Sequence, residues 1–78
     1  MKLWILRPIN EHSNWSPWYD KAFGFVVRAI DETSARIEAA KQCGDEGAEA
    51  WSDKNLSSCE ELSQVGAPQV ILRDFASA

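Results

Sequence analysis

In this 78-residue chain, Asp31 to Gly44 ("DETSARIEAAKQCG") is the stretch that carries helix signals at both ends. Asp31 fits the N-cap, where its carboxylate accepts from the first free amides and meets the positive end of the helix dipole. Ile30 and Ala35 stand at the positions of a hydrophobic staple. Gly44 is the C-terminal stop, so the pattern predicts a helix over residues 32 to 43. Ala35, Ala39, Ala40 and Cys43 share one arc, and such a stripe of small residues lets a helix lie close on a sheet. Arg36 interrupts the arc, which the sequence does not explain unless its stem snorkels to an acidic partner.

One helix cannot close a core by itself, so the remaining apolar runs are read as strands. In "KLWILR" (Lys2 to Arg7), Leu3 and Ile5 share one face and Trp4 and Leu6 the other. Apolar groups on both faces predict an interior strand, or one covered by the loop that follows. Pro8 ends it or moves it to an edge. "FGFVVRAI" (Phe23 to Ile30) reads as a second strand, with Gly24 marking a bulge or a close backbone approach. "QVILRDF" (Gln69 to Phe75) reads as the last strand. Between them, Ala48 to Trp51 reads as a brief strand, and "DKNLSSCEEL" as a loop with one helical turn at Ser58 to Leu62. The expected fold is α+β in a single domain over residues 1–78. One amphipathic helix packs on a small, mainly antiparallel sheet of three to four strands, in the order β-β-α-(β)-β.

A chain this short buries only about 60% of its unfolded surface, so large side chains matter. Four Trp, three Phe and one Tyr supply them. The net charge of −4 speaks against a general nucleic-acid binder, which needs basic groups to neutralise phosphates. Met1 and Lys2 precede four apolar residues before Arg7 and Pro8, too few for a signal peptide. No stretch reaches the length of a membrane span. The expected location is the cytoplasm, with no membrane partner, and Cys43 and Cys59 are expected as free thiols.

The sequence contains no pattern for catalysis or for a cofactor. His12, Cys43 and Cys59 lack metal-ligand spacing. Cys43 lies at the negative end of the helix and Cys59 beside Glu60 and Glu61, surroundings that do not activate a thiol. Paired carboxylates such as Asp45 and Glu46 have no evident cleft to shift them. No glycine-rich phosphate loop is present.

Two features remain. Trp15, Trp18 and Tyr19 flank Ser16-Pro17 in the loop over residues 9 to 21, and proline stiffens the turn that carries them. These rings either fold back as a satellite core or form a binding hot spot. From Asp45 to Glu61, six acids (Asp45, Glu46, Glu49, Asp53, Glu60, Glu61) face one base, Lys54, a formal charge of −5, while the rest of the chain carries +1. The segment is either a solvated edge that keeps the protein soluble or a patch that docks a basic surface.

"LWILRP", "PWYDKAFGFVVRA", "SARIEAA", "GDEGAEAW", "SSCEEL" and "ILRDFASA" together resemble a group of small proteins encoded by tailed phages and prophages. The resemblance implies a genomic setting and no mechanism. In that setting, small size and acidity fit a non-enzymatic protein that acts by occupying a macromolecular partner. Its most concrete form is an inhibitor of a nucleic-acid-binding host defence complex, of the anti-CRISPR kind. It would need no cofactor, touch no nucleic acid directly and bind a host protein with a basic surface. The alternative is a minor virion or assembly protein, homodimeric through a free sheet edge.

Overall fold

The computed structural model describes residues 1–9 and 20–73. Its elements run β1 (Lys2–Pro8), β2 (Phe25–Ala29), α1 (Glu32–Lys41), α2 (Glu49–Ser52) and β3 (Ser57–Glu61). The strands form one antiparallel sheet in the order β2-β1-β3, with α1 and α2 packed on it, the small α+β fold the sequence predicts. No helix among the described residues is long and apolar enough to cross a membrane.

β1 takes the central place that its two apolar faces demand. Ile5 lies opposite Val26 on one side and Glu60 on the other, and Leu6 opposite Phe25 and Cys59. Ile9 N donates to Leu56 O and Leu62 N to Leu3 O, so odd positions of β1 bond β3 and even positions bond β2. The N–H that Pro8 lacks would therefore point past the start of β2, and the ladder loses nothing.

The core lies on the even face. Trp4, Leu6, Phe25, Val27, Ala29 and Cys59 meet Ala35 and Ala39 of α1 and Ala50 and Trp51 of α2. Trp51 is fully buried and receives Phe25 edge-on, with ring centroids 4.8 Å apart at 84°. Trp4 Nε1 donates to Ala29 O at 3.0 Å, so that ring is polar-satisfied as well as packed.

Asp31 caps α1 in extended backbone and accepts from Ser34 N at 2.8 Å. The helix ends at Lys41, and Ile30 is exposed, so the expected staple does not form. Gly44 is not the expected stop, since Gln42 caps the helix, but a close approach requires a glycine there. A Cβ there would stand 2.8 Å from the Asp20 carbonyl carbon and 2.9 Å from Lys21 Cα, where the incoming chain crosses it. Gly24 also marks a close approach, as expected. Its Cβ would meet Leu72 Cδ1 at 3.1 Å and Leu6 O at 3.3 Å. The second strand begins at Phe25, just beyond this crossing.

Three expectations are corrected. Ala48 to Trp51 is not a strand, because Glu49–Ser52 form α2, built on successive bonds from Ala50 N to Gly47 O, Trp51 N to Ala48 O and Asp53 N to Glu49 O. Ser58 to Leu62 is not a helical turn, because Ser57–Glu61 form β3. Gln69 to Phe75 does not supply the last strand. Residues 69–73 make no ladder, and residues 74 and 75 lie outside the described residues. This run instead meets the sheet at Arg7, which donates to Ile71 O, and beside Gly24, where Leu72 lies.

Candidate functional site

The acidic segment does not act as one group, since the fold uses part of it. Glu46 is 2% exposed. Its Oε2 accepts from Trp51 Nε1 at 2.7 Å, and its Oε1 from Ala22 N and Gly44 N, both at 3.0 Å. Three donors from three parts of the chain converge on one carboxylate, so Glu46 is a structural acceptor and not a docking group. This corrects its assignment to a partner-binding patch. A buried acceptor with several donors is costly to lose, which is why it sits at the junction.

Asp45 is exposed, but its Oδ2 accepts from Asp20 N at 3.2 Å, and its own N–H donates to Asp20 O. Asp53 closes a tight turn by accepting from Asn55 N at 2.8 Å. Glu61 pairs with Lys2 at 3.4 Å. Glu49 and Glu60 are exposed and make no ion pair among the described residues. They also point differently, with Glu60 on the odd face of the sheet beside Ile5 and Glu49 on α2.

Trp15, Trp18 and Tyr19 lie outside the described residues. The chain flanking them does not. Ile9 N donates to Leu56 O, Asp20 is tied to Asp45, and Ala22 to Glu46. Residues 9 and 20–22, on either side of the stretch 10–19, therefore bond to Leu56, Asp45 and Glu46, within the acidic segment. The two features the sequence singles out share a footing, which sequence reading missed. The signal was Gly44-Asp45-Glu46, where a glycine beside two acids provides close approach and two acceptors.

Arg36 is the other residue whose role the sequence left open. It is 7% exposed. Nη1 donates to Trp51 O and Ser57 Oγ, Nη2 to Ser57 O and Nε to Glu32, each at 2.9 Å. An acidic partner is present at Nε, but two backbone carbonyls and a hydroxyl satisfy the rest. Arg36 thus joins α1, α2 and β3, and it makes the polar Ser57 a buried strand residue.

Both cysteines are free thiols. Cys59 faces the core from β3, and burial pushes its thiol above the usual range, with Glu32 and Glu60 adding to the effect and Arg36 opposing it. A thiol held protonated is a poor nucleophile. The described surface carries the exposed carboxylates of Asp45, Glu49, Glu60 and Glu61. Comparison of the chain with protein-family models, with curated proteins and with solved structures found no match.

Proposed function

We propose that this chain is a non-enzymatic binding domain that acts by occupying a macromolecular partner with a basic surface. In its most concrete form it is a phage-type inhibitor of a nucleic-acid-binding host complex, of the anti-CRISPR kind, working in the host cytoplasm. Such complexes carry basic clefts for phosphate, and fixed carboxylates complement them. The observation that supports this reading is that Glu49, on α2, and Glu60, on the odd face of the sheet, are each exposed and without an ion pair among the described residues. Exposed carboxylates gain little from their own neighbours, so the fold does not need these two.

The test is association rate against ionic strength, measured with the partner captured from a host lysate. Converting Glu49, Glu60 and Glu61 to Gln should leave thermal stability nearly unchanged while slowing association and flattening its salt dependence. Equal rates and equal salt slopes for the wild type and this variant would retire the acidic-docking reading.

A second reading has one observation in its favour. The ladder parity leaves the main-chain groups of Val26 and Arg28 pointing away from β1, on the outer edge of β2. An edge of this kind can pair with a second copy in an assembly protein. Dimerisation by light scattering, lost on substituting Val26 with Pro, would favour it.

A further inference from the structure

We draw no further inference here: the strongest candidate, the outer edge of β2, where the main-chain groups of Val26 and Arg28 point away from β1, belongs to the assembly reading already described, and nothing in the structure shows what covers it.

Discussion

Replacing Glu46 with Gln tests the claim that this residue holds the fold together instead of facing a partner. Gln keeps one acceptor oxygen. Placed toward Ala22 N and Gly44 N, that oxygen leaves the amide NH2 facing Trp51 Nε1–H, donor against donor. Losing a hydrogen bond to a charged group costs about 1.5–3 kcal/mol, and stranding the buried indole N–H adds about 1–3 kcal/mol. Because the two costs overlap, a total near 3 kcal/mol is expected. A domain of this length holds only ~4–12 kcal/mol in all. The melting temperature should fall by roughly 12–24 °C, at ~4–8 °C per kcal/mol. The assay is urea and thermal unfolding followed by tryptophan fluorescence and circular dichroism, with Glu49→Gln as the exposed control, expected within ~0.5 kcal/mol of wild type. A double-mutant cycle with Trp51→Phe should return a coupling of about 1 kcal/mol or more. If Glu46→Gln is as mild as Glu49→Gln, the structural assignment of Glu46 is wrong, and it returns to the list of docking carboxylates.

Other outcomes follow from the same geometry. Gly44→Ala should destabilise by roughly 1–3 kcal/mol, read from the urea midpoint, since its Cβ meets the backbone of Asp20 and Lys21 and not a movable side chain. Arg36→Met should cost about 3 kcal/mol by stranding Ser57 O and leaving Trp51 O with the Ser57 hydroxyl alone as its partner, and Arg36→Lys should recover only part of that. The Cys59 thiol, raised in the fold, should react slowly with iodoacetamide at neutral pH. Its contribution to stability is complete below the ordinary thiol value and is lost as pH rises through the folded one, so Cys59→Ser should show a shallower alkaline decline in urea midpoint.

What was legible in the sequence was what burial writes into it. The apolar groups on both faces of "KLWILR" pointed to an interior strand or one covered by the loop that follows, and the Asp31 cap located the start of α1. β3 was not legible because its inward positions, Ser57 and Cys59, are small and weakly polar, and Ser57 is buried for a hydrogen bond and not for apolar area. The run "QVILR" misled for the opposite reason. Ile71 and Leu72 do meet the sheet, but without joining its ladder, and period-two reading cannot tell the two apart. At the candidate site, counting charges found the acidic segment but could not separate Glu46, which the fold consumes, from Glu49 and Glu60, which it leaves free of ion pairs among the described residues.

The guanidinium of Arg36 has a consequence for how this fold can drift in sequence. Where apolar packing holds a strand, a slip of two residues costs little if the same face stays greasy. β3 has no such stripe, and Arg36 ties it to α1 by two bonds to Ser57 and ties α2 to α1 by one to Trp51 O. A slip would present Asn55 or Cys59 to the guanidinium in place of the serine hydroxyl. Positions 36 and 57 are then bound to change together or not at all. Relatives of this chain that lose the arginine should lose the serine with it and carry a bulkier apolar pair in their place.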